Sequence, residues 1–196
     1  MRKKYFIYVI IIYLISIIKL HATSPDIFVQ STVNRASEIL SKEISKDQKM
    51  LKLEEIAKET VDIRGIGFYT LGSIRKSLND DQKNKYSSLF EKYFLKSFSS
   101  RLAEYTNPEI DVLSKEVIND NYTIVYSLLK GTNERPEIKI DWRIYTKDPN
   151  NPLIRDLIIE GLSLARTQKE EFNSVLQSNN NDINELLKTL EKFISK

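Results

Sequence analysis

The chain has no cysteine and only one histidine, His21. The lack of cysteine excludes disulfides, thiol nucleophiles and cysteine-ligated metal sites. His21 lies in an N-terminal segment that we expect to be removed, so histidine-based catalytic triads are excluded from the folded domain as well. We therefore predict no metal site and no catalytic cofactor. Chemistry or metal binding by carboxylates alone stays open.

The first 22 residues have the three-part layout of a secretory signal peptide. Arg2, Lys3 and Lys4 form a basic start, an apolar run covers residues 5–18, and Ala22 supplies a small residue at the cleavage point. A membrane span usually needs about 18 or more apolar residues, so the shorter run favours a cleaved signal. We expect cleavage after Ala22 and one folded domain over residues 23–196.

Neither sign of charge dominates the predicted domain. The full chain has 30 Lys and Arg against 27 Asp and Glu. Four of the basic residues, namely Arg2, Lys3, Lys4 and Lys19, belong to the signal segment. The remainder is close to neutral and lacks the basic excess on which nucleic-acid binding depends, so we predict no nucleic-acid partner.

Glycine is scarce, and three of the five glycines lie close together at Gly65, Gly67 and Gly72. A dinucleotide- or phosphate-binding loop needs a preceding strand and a different glycine spacing. We therefore predict a short helix here, which packs closely against a neighbour because its glycines have no side chain.

Five longer helices are predicted from apolar residues at helical spacing and from residues that cap helix N-termini. The first starts at Ser24, with Pro25 at its first position, and runs to about Ile44. Asn79 is followed three residues on by Gln82, a capping box that opens the longest helix. The N-caps predicted for the remaining three helices are Asp47, Ser163 and Asp182.

The longest helix has a stripe of large apolar residues, most of them aromatic, along one side. The stripe is formed by Tyr86, Leu89, Phe90, Tyr93, Phe94, Phe98, Leu102 and Tyr105. Such a stripe is either part of an ordinary core or the lining of a ligand site. The sequence does not separate these two interpretations.

From residue 110 the apolar period changes from helical to strand-like. Strands are predicted over 110–118, 122–130, 138–144 and 153–160, with short connections that indicate an antiparallel meander. In the third strand Ile138, Ile140, Trp142 and Ile144 face one way. The sequence thus predicts an α+β domain whose four-stranded sheet has one covered face and one polar face.

Asp156 and Glu160 are the carboxylates that a catalytic interpretation would use. They lie four residues apart on a predicted strand, about 13 Å at ~3.3 Å per residue, which is too far for a glycosidase pair. Arg143 and Arg155 lie on the same two strands. We therefore expect salt bridges across the polar face rather than catalysis.

Several short motifs occur in a fixed order over about residues 25–194. They are Asp141-Trp142-Arg143, Glu160-Gly161-Leu162-Ser163-Leu164 and Glu171-Phe172, with Leu71-Gly72, Asp81-Gln82, Leu89-Phe90 and Arg101-Leu102 earlier in the chain. Their order and spacing together resemble the MlaC/toluene-tolerance family of periplasmic phospholipid-binding proteins.

The resemblance implies a helical layer on a twisted four-stranded antiparallel sheet, with an internal apolar cavity for phospholipid acyl chains. It also implies a periplasmic shuttle between an outer-membrane lipoprotein complex and an inner-membrane ABC transporter with an MCE-domain subunit, which maintains outer-membrane lipid asymmetry. Phospholipid would be the cargo, and no enzymatic activity is expected. The residues expected around the lipid are Ile66, Leu71, Tyr93, Phe94, Phe98, Trp142, Leu157 and Ile159.

Two other functions remain open from the residues alone. One is a periplasmic adaptor with a fully packed core and no lipid cargo. The other is an enzyme of the open-cone α+β type that uses Asp156 or Glu160 as a base.

Overall fold

The computed structural model describes residues 23–133 and 135–196, so the predicted signal peptide and its cleavage point lie outside the described residues. The helices are α1 (Pro25–Ser41), α2 (Lys46–Thr60), α3 (Ile63–Thr70), α4 (Asp80–Leu102), α5 (Leu164–Ser178) and α6 (Ile183–Ile194), with a 3₁₀ turn at Ile74–Lys76. The strands are β1 (Ile110–Asn119), β2 (Tyr122–Leu129), β3 (Ile138–Tyr145), β4 (Leu153–Ile159) and β5 (Leu162–Ser163).

The predicted α+β class and antiparallel meander are confirmed, since the strands lie in the order β1-β2-β3-β4-β5. The number of strands was wrong: the sheet has five, not four. Glu160 and Gly161 form a two-residue turn with φ angles of 49° and 82°, and positive φ at both central positions is characteristic of the type I′ hairpin turn. The turn folds Leu162 back against Ile159. A strand of two residues is too short to show an alternating pattern.

The helix caps explain where the chain changes direction. The Asn79–Gln82 capping box is confirmed, and Ser163 accepts a hydrogen bond from Arg166 N as the predicted cap of α5. The predicted cap of α2 was wrong. Ser45, and not Asp47, is the N-cap, and it forms a capping box with Gln48 that the sequence already contains.

Two predicted helix ends were also wrong. α1 stops at Ser41 rather than at about Ile44, and α4 stops at Leu102, before Tyr105, which was predicted to share the stripe of this helix. Tyr105 therefore lies beyond the helix, in the segment that leads to β1.

The helices form two groups around the sheet. α1, α3 and α5 lie against the strands, whereas the main neighbours of α4 are α2, α3 and α6. Because α3 contacts both groups, it joins the aromatic helix α4 to the sheet. Val61, at the entrance to α3, forms a parallel bridge with Ile154 of β4.

The contact between α3 and α4 is close because it is made at a glycine. A Cβ atom at Gly67 would lie 2.8 Å from Cδ1 of Phe90. One turn away, the hydroxyls of Thr70 and Tyr86 are hydrogen-bonded at 2.7 Å in the interior, and burial raises the pKa of Tyr86. The prediction of a short, closely packed glycine-containing helix is thus confirmed.

Replacing Gly67 with alanine tests this contact. The methyl group would overlap the buried Phe90 ring, and overpacking of this kind costs about 1–3 kcal/mol, more than the ~1 kcal/mol that alanine gains in helix propensity. We expect a lower free energy of unfolding in urea. Adding Phe90→Leu should restore part of the loss, and a Gly67→Ala variant that is more stable than the wild type would contradict the close contact.

Candidate functional site

The aromatic side chains of α4 become less buried toward its C-terminal end, although Leu95 and Ser99 on another side of the helix stay buried. Tyr86 is fully buried and Phe90 nearly so, whereas Tyr93, Phe94 and Phe98 are only half-buried. The rings of Phe94 and Phe98 stack with their centroids 5.6 Å apart and their planes 11° apart. The aromatic stripe is therefore sealed at the N-terminal half of the helix and partly open at the C-terminal half.

Strands β3 and β4 also become less buried toward one end, whereas β2 stays buried up to Leu129. On β3, Ile144 is fully buried and Ile138 is half-buried. On β4, Ile154 is buried, whereas Leu157 and Ile159 are half-buried.

The strand register places these residues side by side. Ile144 pairs with Ile154, Trp142 with Leu157, and Ile140 with Ile159. The two strands therefore become less buried together toward the start of β3 and the end of β4.

Intervening segments link each end of α4 to one end of the β3–β4 pair, and we call the buried end, around Ile144 and Ile154, the closed end. α3 joins Ile154 to Phe90 at the closed end, through the Val61 bridge and Gly67. At the other end Tyr105, just beyond α4, lies under Arg135, which stands three residues before Ile138. We name as the open end the half-buried set Phe94, Phe98, Tyr105, Ile138, Leu157 and Ile159.

The eight residues predicted to surround a lipid are divided between the buried core and the half-buried side chains beside it. Ile66, Leu71 and Trp142 belong to the buried core, and Leu71 lies just past α3. Half-buried side chains packed against that core are Tyr93, Phe94, Phe98 and Leu157. Ile159 is half-buried at the end of β4. The fold thus brings seven of the eight into one cluster, while their contact with a lipid stays a prediction.

Tyr93 packs mainly between α4, α5 and α6, so it is not part of the open end. Its ring lies 4.8 Å from that of Phe193 on α6 and 5.8 Å from that of Phe172 on α5. Its hydroxyl donates to Gln168 Oε1 at 2.8 Å, and burial raises its pKa. The sequence did not predict that Phe172 and Phe193 would close this junction, because they come from distant helices.

Trp142 is held by a short chain of hydrogen bonds. Its Nε1 donates to Ser127 Oγ at 2.8 Å, and Ser127 Oγ donates to the carbonyl of Ile140 at 2.9 Å. The indole is therefore fixed in orientation with its polar atom satisfied, and its remaining surface is apolar.

The predicted salt bridges between Asp156 and the strand arginines were wrong. Asp156 is buried, and it accepts hydrogen bonds from Ser163 Oγ at 2.6 Å and from Ala165 N at 3.0 Å. Both donors lie at the start of α5, where a carboxylate is favoured by the helix dipole. Asp156 thus ties β4 to α5, and its two oxygens are occupied by this structural role.

Arg155 also has a different partner from the one expected. Its guanidinium pairs with Asp62 at 2.6 Å, bonds Tyr122 Oη at 2.8 Å and lies 3.8 Å from the Tyr145 ring centroid. Asp62 in turn caps α3 by accepting from Gly65 N. The cluster of Arg155, Asp62, Tyr122 and Tyr145 thus holds the start of α3 against β4 at the closed end.

An Asp156→Asn substitution should destabilise the protein. Asparagine keeps one acceptor oxygen and loses the charge, and a charge-assisted hydrogen bond contributes about 1.5–3 kcal/mol. We expect the free energy of unfolding to fall by about that amount. Asp141→Asn is the matched control, because burial raises the pKa of Asp141 and its ionised form adds no stability. Equal stability of the two variants would contradict the capping role.

The described part of the chain offers little else that suggests a site. Residues 23–133 and 135–196 contain no group of His, Cys, Asp and Glu side chains able to hold a metal ion. No helix among the described residues is long and apolar enough to cross a membrane. A shallow open depression on the outside of α1 is formed by that helix alone, including Ile27, Ser31 and Arg35.

The fold and the open end together define a class of small α+β protein, in which helices and an antiparallel meander share an apolar core that becomes half-buried at one end. Within that class the family is shown by the sequence. Residues 30–192 match the family model described as MlaC protein, and the chain belongs to the MlaC family. The family resemblance carried by the sequence motifs is thus confirmed.

The structure is also similar to a solved structure of a phospholipid-binding protein from Ralstonia solanacearum in complex with a phospholipid. The TM-score is 0.74 and the sequence identity 19%, and the match covers 88% of this chain and 98% of that one. At this identity the likeness shows the fold. None of the curated proteins compared with this sequence matches it.

Proposed function

We propose that the protein is an exported carrier that holds a phospholipid by its acyl chains at the open end, between the C-terminal half of α4 and the start of β3. The main supporting observation is that the aromatic side chains of α4 and the apolar side chains of β3 and β4 each change from buried to half-buried along their element. Membership of the MlaC family and the phospholipid-bound structure with the same fold support the same class of ligand.

The energetics of the cargo explain why a partly open apolar surface is useful. Each CH₂ group removed from water contributes about 0.8 kcal/mol, so two chains of ~16 carbons represent on the order of 25 kcal/mol. A carrier must cover most of this surface while leaving the head group in water. The stacked Phe94–Phe98 pair and the aliphatic side chains of Leu157 and Ile159 supply such a surface, which would widen into the internal cavity expected for the family.

The shuttle and its location are part of the proposal. The N-terminal segment has the layout of a signal peptide, so we propose that the mature protein begins at Thr23 in the periplasm. There it would exchange lipid between an outer-membrane lipoprotein complex and an inner-membrane ABC transporter with an MCE-domain subunit. Mass determination of the protein from a periplasmic extract tests the first step, and a mass that includes residues 1–22 would contradict it.

Catalysis by Asp156 has less support than binding. Both oxygens of Asp156 accept hydrogen bonds from the start of α5. Glu160 lies in the β4–β5 turn, where its Oε1 accepts from Lys139 N at 2.5 Å. These carboxylates thus serve the sheet and its connection to α5.

Native mass spectrometry of protein purified without detergent tests the proposed function. We expect a population heavier by the mass of a phospholipid, and organic extraction should release that lipid. Protein that stays free of lipid and also takes none from phospholipid vesicles would instead support an adaptor with a packed core.

A further inference from the structure

The connection between β2 and β3 positions Arg135 beside the open end. Thr132 N donates to the Arg135 carbonyl at 2.7 Å, and Arg135 N donates back at 3.3 Å. A Cβ atom at Gly131 would lie 2.9 Å from the backbone nitrogen of Glu137, so the connection folds tightly on itself. The backbone at Arg135 is therefore well defined, three residues before Ile138.

The Arg135 side chain is half-buried, and its Nε has no acceptor in the part of the chain that the structure describes. Its guanidinium carbon lies 4.8 Å from the centroid of the Tyr105 ring, and its Nε is buried with no hydrogen-bond partner. Over residues 23–133 and 135–196 no carboxylate forms an ion pair with it. The acidic residues on either side of Tyr105 pair elsewhere, Glu104 with Lys46 and Glu109 with Lys130.

Arg155 provides a comparison within the same fold, because its guanidinium has both an aromatic neighbour and an anionic partner. It also stacks on a tyrosine, yet it has the Asp62 carboxylate and the Tyr122 hydroxyl as partners. A buried cationic donor that lacks an acceptor is unfavourable. Arg135 keeps the aromatic platform but has no anionic partner among residues 23–133 and 135–196, which points to a ligand as the source of the anion.

We propose that Arg135 binds the phosphate group of the lipid, with the Tyr105 ring holding the guanidinium in place. The inference rests on the proposed function and adds the head-group site to it. A guanidinium presents a planar fork of donors that matches two phosphate oxygens. In a phospholipid the phosphate lies where the acyl chains meet the head group, and Arg135 lies where the open end meets solvent.

This geometry selects lipids by their phosphate rather than by their terminal head group. Acyl chains that enter along Phe98 bring the phosphate to Tyr105 and Arg135, and whatever follows the phosphate remains in water. A diacylglycerol with the same chains offers no anion, so it would leave the buried Nε without a partner.

The test compares binding of a phospholipid and of a diacylglycerol with identical acyl chains to delipidated protein. The wild type should prefer the phospholipid about tenfold or more, because hydrogen bonds to charged groups contribute at least that much. In Arg135→Gln the ratio should fall to about one while diacylglycerol binding persists. Arg143→Gln, which removes an exposed arginine from β3, is the matched control and should keep the wild-type ratio.

Each result supports or overturns the assignment. A wild type that shows no preference, or an Arg135→Gln variant that keeps it, overturns the phosphate site but leaves lipid binding intact. Failure of the wild type to bind either lipid overturns the proposed function instead. Stabilisation of lipid-free protein by inorganic phosphate would show a free-anion site and overturn the lipid assignment. Arg135→Lys should keep the charge but lose the fork, with an intermediate ratio.

Discussion

A Phe98→Glu variant should lose bound phospholipid almost completely while remaining folded. Phe98 is half-buried at the open end, so a carboxylate there can reach water in the empty protein, and only part of an aromatic side chain's packing is lost. A bound acyl chain would cover that carboxylate and strip it of water at a cost of several kcal/mol. We expect lipid affinity on the order of 100-fold lower, measured by uptake from vesicles.

Phe68→Glu is the matched control for this substitution. Phe68 is also half-buried, but it lies on α3 under the Arg64 guanidinium, away from the open end. A glutamate there can pair with Arg64 one helical turn earlier. We expect wild-type lipid uptake from this variant. Unchanged uptake by Phe98→Glu, or equal loss in both variants, would contradict an acyl-chain site at the open end.

A Trp142→Ala variant should be among the least stable single substitutions in the described chain. The indole is nearly buried and hydrogen-bonded through Ser127, and truncating a buried tryptophan to alanine costs about 3–5 kcal/mol. Urea unfolding of lipid-free protein gives the free energy directly, without the added stability that a bound lipid would supply.

Trp142→Phe separates the contribution of the ring from that of the hydrogen bond. Phenylalanine keeps much of the apolar surface and loses the Nε1 donor, which is worth about 1 kcal/mol. We expect a loss well below that of Trp142→Ala. Equal losses in the two variants would mean that the ring itself adds little to the core.

Much of the fold follows from local patterns in the sequence. The alternation of Ile138, Ile140, Trp142 and Ile144 predicted both the third strand and its buried face, and the observed strands start where predicted and end within one residue of the predicted ends. The Asn79–Gln82 capping box fixed the start of α4. These features depend on residues a few positions apart, and such short-range patterns are visible in a sequence.

The missed features depend on long-range geometry or on elements too short to have a period. β5 is a two-residue strand made by the positive φ angles of Glu160 and Gly161. The sequence predicted Asp156 on the polar face of the sheet, whereas the structure places the start of α5 over it.

In the candidate site, too, local patterns were predicted from the sequence and long-range contacts were not. Aromatic residues of α4 were predicted as one stripe, and the structure confirms that they share an apolar cluster. The division of that stripe into a buried and a half-buried part required the positions of α3 and the sheet. The pairing of Arg135 with Tyr105 joins two loops, so no local motif could have indicated it.

The central claim, that acyl chains lie between the Phe98 side of α4 and the strand that contains Trp142, can be tested with the protein's own fluorescence. Trp142 is the only tryptophan in the chain, so its emission reports on one place. Phospholipids brominated in the acyl chain quench a tryptophan that they touch. We expect strong quenching of the loaded wild type and none in Phe98→Glu. A wild type that binds the brominated lipid with unchanged Trp142 emission would contradict the claim.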